Sequence, residues 1–359
     1  MTSTQQVASI ESPPAAPRGA AEGRATRRPH WLLSRLAPRR ISAIYLLGLF
    51  VLLFGLLEPD TFLTEVTFSL ILRSGVVTCI LALAFLVPLT AGAYDLSIGA
   101  VMSMSLGLVI YLSLHSDLPT PVTALVAIGA AAFCGAVSGF IVVKLHVNSF
   151  IATLGVSQVL AGVVLLLSNN TQMIGDLPEY WSNLGTSEVL GLPQVVFILL
   201  LLALVMWYVL EFTPIGRYLL ATGGNPEASR LAGVATDRVL WCVFIASGAI
   251  SGVAGVVFSM QSGLYSSSIG PGYLFPAVAA VFLGASQLSQ RPNVWGTLIA
   301  YFALAFGIQG LALSTASASV WSQPVFQGVS LIIAVAVASR PVVRKLRDSK
   351  PAEPTESVA

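Results

Sequence analysis

Long stretches without a charged residue alternate with short polar segments over most of the chain. The two longest each contain a turn-rich interruption, at 262–272 and 314–323, so each can hold two spans. Most of the others have the about 20 residues that a helix needs to cross a bilayer. The charge-free windows are Ile41–Leu57, Ser74–Tyr94, Leu96–Ser116, Leu118–Val143, His146–Gly175, Val189–Leu210, Val239–Gln290 and Pro292–Ser339. The pattern predicts ten transmembrane helices.

Composition agrees with this pattern. Of the 359 residues, 55% are hydrophobic and only 9% are charged, whereas about 25% are charged in ordinary soluble domains. The sequence therefore predicts an all-α polytopic membrane protein with about ten transmembrane helices.

The basic residues lie on one side of the predicted topology. Cytoplasmic loops carry an excess of Lys and Arg, and an even number of spans leaves both termini on one side. If that side is the cytoplasm, Arg73 is the only one of the 18 Lys and Arg that falls elsewhere. The outer loops contain acids instead: Glu58, Asp60, Glu65, Asp117, Asp176, Glu179 and Glu188. We therefore expect the N- and C-termini to be cytoplasmic.

The two ends of the chain differ from the middle. Residues 1–40 are rich in Ala, Pro and Arg, a composition that cannot bury a core, and we expect a disordered basic cytoplasmic tail. The transmembrane domain then covers 41–339, and 340–359 form a second cytoplasmic tail.

Cysteine and histidine give no sign of a disulfide or a metal site. All three Cys fall inside predicted spans, where they behave as small apolar residues. The three His lie near span ends or in the first tail, and none has a second ligand at metal-binding spacing.

The first informative polar segment is Thr213–Val234. Asn225 is a good N-cap, Pro226 suits the first helical position, and Gly233 provides a stop. The predicted helix, Glu227–Ala232, is too short to be stable alone in water. We expect a partner surface to hold it, although such caps also occur on ordinary surface helices.

The second informative segment is Thr90–Ala100, which joins two apolar runs without a soluble loop. Gly92 and Gly99 permit backbone turns, and Asp95 and Ser97 are residues that can cap a helix beginning near Leu96. An Asp at membrane depth is costly without such partners. We predict a broken or re-entrant helix packed inside protein, with Asp95 either capping it or contacting a substrate.

Three strings in the chain resemble the permease subunits of ribose-type ATP-binding cassette (ABC) importers, in the branched-chain amino acid/ribose permease family. The segment after Thr90 aligns without a gap with the family string Thr-Gly-Gly-Ile-Asp-Leu-Ser-Val-Gly, but has Ala91, Ala93 and Tyr94 where the family has Thr, Gly and Ile. The string Val147–Gly155 is similar to Val-Pro-Ser-Phe-Ile-Val-Thr-Leu-Gly. The resemblance implies candidates for a broken helix or translocation path: Asp95, Ser97, Gly99, Asn148, Phe150 and Thr153.

The third string lies in Thr213–Val234 and resembles the loop by which such permeases dock on their ATPase subunit. The matching residues, with Glu227 of the same helix, are Gly216, Arg217, Gly223, Gly224, Asn225, Glu227, Ala228, Arg230, Leu231 and Gly233. The resemblance implies a sugar importer in a bacterial cytoplasmic membrane, with a ribose-like monosaccharide or related polyol as substrate. Asp95-Leu96-Ser97 and Gly224-Asn225 favour the sugar branch over branched-chain amino acids or nucleosides.

This interpretation requires other subunits. The chain contains no Gly-rich phosphate loop ending in Gly-Lys-Ser/Thr, so ATP and Mg are expected on a separate ATPase and no cofactor on this chain. The resemblance further implies a second permease copy and a periplasmic or extracellular binding protein, for which the outer loop Ser168–Glu188, with Tyr180 and Trp181, is a candidate surface. Membrane lipid surrounds the chain, and we expect no nucleic-acid partner.

Two other classes of function remain as alternatives. A secondary transporter or channel would need ionisable residues along an ion path, and only Arg73 and Asp95 are candidates. Arg73 can instead extend to the membrane surface. An intramembrane enzyme would need paired carboxylates, a His cluster or a Ser-His arrangement, and the sequence indicates no catalytic residue.

Overall fold

A computed structural model describes residues 42–285, 291–314, 321 and 324–333. Its helices are α1 (Ser42–Leu57), α2 (Pro59–Phe62), α3 (Glu65–Thr90), α4 (Ile98–His115), α5 (Thr120–Lys144), α6 (Ser149–Ser168), α7 (Glu179–Thr186), α8 (Gln194–Phe212), α9 (Pro214–Gly224), α10 (Pro226–Leu231), α11 (Thr236–Ser262), α12 (Ile269–Ala285), α13 (Val294–Ser314) and α14 (Pro324–Ile333). The predicted tails, 1–40 and 340–359, lie outside the described residues.

The chain is a multi-pass helical protein, as predicted. Among the described residues, seven helices are long and apolar enough to cross a membrane: α3, α4, α5, α6, α8, α11 and α13. Three further apolar helices, α1, α12 and α14, are shorter. Ten spans and cytoplasmic termini therefore stay predictions. Four two-residue strands accompany the helices: β1 (Met173–Ile174), β2 (Glu188–Val189), β3 (Leu192–Pro193) and β4 (Leu264–Tyr265).

Helix boundaries differ from the charge-free windows where a charged residue lies inside a helix. The window Ser74–Tyr94 was bounded by Arg73, but α3 begins at Glu65 because Thr64 caps it and accepts a hydrogen bond from the N–H of Thr67 at 3.2 Å. Thr213–Val234 holds two helices, α9 and α10, where one was predicted.

The core forms around α3 and α11. Every residue of α3 from Gly75 to Pro88 is buried. The packing has a twofold pattern, since α4 and α5 pack against α11 while α12 and α13 pack against α3. The α3 and α11 helices are thus the two elements around which the other long helices pack.

The loops fall into two groups at opposite ends of the bundle. At one end Arg73 forms an ion pair with Glu188 at 2.8 Å, and β1 pairs antiparallel with β4. Hydrogen bonds from Ser69 and Arg73 lower the pKa of the Glu188 carboxyl. At the other end Arg291 bonds Glu211 at 2.7 Å. Arg73 thus has a carboxylate partner at the end that the charge pattern assigns to the outside.

Trp181 does not face outward from the outer loop Ser168–Glu188, the candidate surface for a binding protein. Its side chain is 4% exposed, and its indole N–H donates to Ser259 Oγ at 3.1 Å, which holds α7 on α11. Gly185 also lets α7 pack closely on α11, because a Cβ there would run into the Met260 carbonyl. Tyr180 is 51% exposed and remains available to a partner.

The α5 and α11 helices pack against each other through glycines. A Cβ at Gly135 would collide with the Phe244 carbonyl and lie 3.2 Å from Gly248 Cα. At Gly252 it would lie 2.7 Å from Ala131 Cβ. Small residues allow this approach, so Gly135, Gly248 and Gly252 bring the two backbones into contact.

Gly135→Ala and Gly129→Ala test this contact within one helix. A Cβ at Gly129 meets nothing within 4 Å. We expect Gly135→Ala to destabilise the protein by about 1–3 kcal/mol through overpacking, and Gly129→Ala to be neutral or to stabilise by up to about 1 kcal/mol. Thermal unfolding of the purified variants in detergent gives the answer, and equal unfolding temperatures would disprove the contact.

Candidate functional site

The segment 213–234, here called the coupling segment, begins with a tight turn. Thr213 is extended, and its hydroxyl donates to the Val209 carbonyl at 2.6 Å. A Cβ at Gly216 would run into the Leu210 carbonyl. Glycine is therefore required where α9 folds back against the end of α8.

The second helix of the coupling segment is capped as predicted, although it is shifted by one residue. The N–H of Ala228 donates to Asn225 Oδ1 at 3.0 Å, and Pro226 occupies the first turn. Gly233 has φ +88° and donates to the Arg230 carbonyl at 3.0 Å. The α10 helix runs over Pro226–Leu231 rather than Glu227–Ala232.

The outer face of the coupling segment is exposed. Arg217, Glu227 and Ala228 are exposed, and Leu231 is 91% exposed. Arg230 bonds Asp237 at 2.9 Å, so its charge already has a partner within the chain. An exposed apolar end on a capped short helix can dock into a groove of another protein.

The break between α3 and α4, residues 91–97, turns at Gly92, which has φ +80°. This confirms the predicted turn, but Gly99 is different, because it lies inside α4. A Cβ at Gly99 would lie 2.7 Å from the Gly270 carbonyl O. Gly99 is thus needed for close packing on α12, and the prediction that it turns the backbone was wrong.

Asp95 is 1% exposed and accepts three hydrogen bonds. Its Oδ1 accepts from the Ser97 N–H at 3.0 Å and the Ser97 hydroxyl at 2.5 Å, and its Oδ2 accepts from the Ser247 hydroxyl at 2.7 Å. The helix begins at Ile98, two residues later than expected. Asp95 therefore closes the turn before α4 and ties it to α11.

The beginning of α6 supplies the remaining partners of the break. Ser149 Oγ accepts from the Tyr94 N–H at 3.1 Å, and Thr153 Oγ1 accepts from the Leu96 N–H at 3.0 Å. Asn148 caps α6 by accepting from the Phe150 N–H at 3.0 Å.

The predicted path residues thus divide by position. Asp95, Ser97 and Thr153 meet at the break, whereas Phe150 is 49% exposed beside it. Ser149 and Ser247 also bond the break but were not among the predicted site residues. Two features of the sequence pointed to them: Ser149 follows the Asn148 cap, and Ser247 places a hydroxyl within an apolar span.

The two informative segments of the sequence touch each other. A Cβ at Gly223 would run into the Thr90 carbonyl and lie 3.0 Å from the Gly92 N. A Cβ at Gly92 would lie 3.2 Å from Gly223 Cα. A Cβ at Gly224, by contrast, would meet nothing within 4 Å, so the close approach occurs at Gly223.

The contact beside Gly223 also contains an unpaired polar atom. Thr222 is fully buried, and its hydroxyl has no hydrogen-bond partner among the described residues. Such a group costs about 1–3 kcal/mol. The α9 helix therefore rests on the break without an optimal set of hydrogen bonds.

Variants of Asp95 test its structural role. Asp95→Ala leaves the Ser97 and Ser247 donors unpaired, and we expect a loss of about 1–3 kcal/mol and less folded protein. Asp95→Asn keeps an acceptor and should restore most of the stability. Asp117→Ala, at an exposed position, is the control and should change nothing. Stability is measured by thermal unfolding, and if Asn stops uptake as fully as Ala at a normal protein level, the charge itself acts in transport.

Comparisons with known proteins agree with one another. Residues 67–337 match the family described as branched-chain amino acid transport system / permease component. The chain is 32% identical over 292 residues to the ribose import permease protein RbsC of Escherichia coli K12, covering 79% of this chain and 88% of the relative. It is 32% identical over 317 residues to the fructose import permease protein FrcC of Rhizobium meliloti, covering 86% of each.

A more distant relative is named for a different substrate. The chain is 28% identical to the autoinducer 2 import system permease protein LsrD of Escherichia coli O9:H4, over 71% of this chain and 78% of the relative. Because the family match covers most of the sequence and two relatives exceed 30% identity, the chain belongs to the branched-chain amino acid transport system / permease component family.

Proposed function

We propose that this chain is the transmembrane permease subunit of an ABC importer that carries a sugar, a ribose-like monosaccharide or related polyol, across a bacterial inner membrane. The relatives named for ribose and fructose import support a sugar over the amino acids of the family description. In this proposal ATP and Mg bind a separate ATPase, and the permease itself is not an enzyme.

The contact between the coupling segment and the break carries the proposal. The ATPase moves when it binds and hydrolyses nucleotide, and α9 would receive this movement at its exposed face. Gly223 lies directly on Thr90 and Gly92, so a displacement of α9 reaches the break without an intervening side chain. Packed backbones of this kind move as units rather than deforming.

The exposed face of the coupling segment fits an ATPase groove. Ile215 is 57% exposed, Tyr218 49% and Leu231 91%. The opposite face of α9 is buried through Gly216, Leu219 and Thr222. An exposed apolar set beside a buried one is the pattern of a helix held between two proteins.

The two ends of the bundle suggest where the other subunits bind. Lys144, Arg217 and Arg291 belong to the end that holds the coupling segment, and we assign this end to the cytoplasm. The binding protein then docks at the opposite end, where Tyr180 and Leu190 are exposed. A second permease copy would cover part of the exposed apolar surface of α6.

A nucleotide-independent transporter fits the geometry less well. Arg73 is paired with Glu188 at one end of the bundle, and Asp95 is satisfied by Ser97 and Ser247. Neither of the two ionisable candidates is therefore free to carry an ion along a path.

Gly223→Ala and Gly224→Ala form a matched pair that tests the coupling contact. The first adds a methyl group against Thr90 and Gly92, whereas the second adds it in open space. Overpacking of about 1–3 kcal/mol should lower ATP-driven uptake by about tenfold or more in Gly223→Ala. ATPase co-purification should persist in both variants, and Gly224→Ala should take up ribose or fructose normally.

A second variant separates docking from transmission. Leu231→Asp places a charge in the docking face and should abolish ATPase co-purification while the purified permease unfolds at the normal temperature. Equal uptake by the Gly223 and Gly224 variants would refute the coupling contact. Uptake that persists after ATP depletion, with the proton gradient intact, would refute the importer.

A further inference from the structure

The segment between α11 and α12 begins at the outer end of the bundle, where β4 pairs with β1, and then enters the bundle along α4. Gly263, with φ +57°, turns the chain after α11. Tyr265 is 1% exposed, and a Cβ at Gly107 of α4 would lie 3.3 Å from its ring. Five residues later a Cβ at Gly270 would lie 2.6 Å from the Gly99 carbonyl O. The chain thus follows α4 from Gly107 to Gly99, about 12 Å at 1.5 Å per residue.

Contacts with α11 give the depth of this segment. The Gln261 side chain donates to the Arg73 carbonyl at 2.9 Å, near the outer ion pair of Arg73. Ser105, midway along the same part of α4, donates to the Gly252 carbonyl at 2.9 Å. Gly252 lies about 13 Å along α11 from Gln261. Because the hydrocarbon core is about 30 Å thick, the part of the segment between Tyr265 and Gly270 descends from the outer end of the bundle into the region that the membrane surrounds.

Ser267 and Ser268 are exposed at this depth and precede the first residue of α12. Irregular backbone within a bilayer is tolerated only where it is buried in protein or lines a water-filled space. Exposed serines in a non-helical segment therefore do not face lipid.

The exposed surface continues onto α12. Gly272 and Phe275 are exposed, with Phe275 at 54%, whereas Ala279 is 1% exposed. Gly272 and Phe275 are three residues apart, which places them on one face of α12, and Ser268 is the last residue before that helix. We call Ser267, Ser268, Gly272 and Phe275 the α12 stripe.

We propose that the α12 stripe lines the substrate path and contacts a small polyhydroxylated substrate. The inference rests on the proposed importer function and adds the residues that meet the substrate. Serine hydroxyls can donate to and accept from sugar hydroxyls, and Ser266 Oγ lies 3.2 Å from Ser268 Oγ, so the hydroxyls already form a polar group. Phe275 adds the apolar surface typical of small-molecule sites.

Cysteine labelling measures water access to the stripe without requiring transport. The three native cysteines, Cys79, Cys134 and Cys242, are replaced, and Ser267→Cys and Ser268→Cys are made in the importer assembled in lipid nanodiscs. Labelling is measured in two states, with nucleotide trapped by vanadate and without nucleotide. A charged, membrane-impermeant thiol reagent should label both variants in at least one of these states. Leu190→Cys, at a 91% exposed hairpin tip, is the positive control.

Leu201→Cys is the matched negative control. Leu201 is 65% exposed and lies inside α8, about 10 Å from its first residue. An apolar maleimide should label it, and the charged reagent should not. If Ser267→Cys and Ser268→Cys behave like Leu201→Cys, they face lipid and the proposal is overturned. If neither reagent labels them in either state, a second copy covers them, and the proposal is also overturned.

Uptake of radiolabelled ribose and fructose tests substrate contact. We expect Ser267→Ala combined with Ser268→Ala to lower uptake about fivefold or more, because hydrogen bonds to substrate are lost. Ser74→Ala, at an exposed position of α3 where the hydroxyl bonds carbonyls of its own helix, should have no effect. Unchanged uptake in the double variant would overturn substrate contact. These results do not depend on Gly223, so the proposed function and this inference can fail separately.

Discussion

Every buried backbone polar group needs a hydrogen-bond partner, and this constraint governs the break between α3 and α4. The chain stops being helical at residues 91–97, between α3 and α4. Ser149 and Thr153 of α6 accept hydrogen bonds from two of its amides, those of Tyr94 and Leu96, and Ser247 of α11 donates to its carboxylate. The break is therefore stable only where α4, α6 and α11 meet, because α6 and α11 supply its hydrogen-bond partners.

Because of these hydrogen bonds, the break can transmit movement between helices. A segment held by side chains from α6 and α11 cannot move without moving those helices, and its remaining face touches the backbone of α9 at Gly223. The glycine contacts elsewhere, such as Gly135 with α11 and Gly99 with α12, leave little room for soft deformation. Movement at the coupling segment would accordingly be passed on as a displacement of packed units.

Local signals in the sequence predicted much of the fold and of the candidate site. Asn225 and Pro226 begin α10 because capping depends on neighbours along the chain, and Gly92 turns the backbone where a positive φ is needed. Long-range partners could not be predicted in this way. Neither the Ser247 bond to Asp95 nor the contact of Gly223 with Gly92 leaves a trace in spacing, since each joins residues more than a hundred positions apart.

The central claim is that nucleotide-driven movement of the coupling segment reaches the break through Gly223. Hydrogen exchange measured by mass spectrometry on the assembled importer, with and without vanadate-trapped ATP, tests it most directly. The account predicts that peptides covering 213–234 and 91–97 change together in the unmodified protein, and that only 213–234 changes in Gly223→Ala. Unaltered exchange at 91–97 in the unmodified protein, despite a change at 213–234, would contradict it.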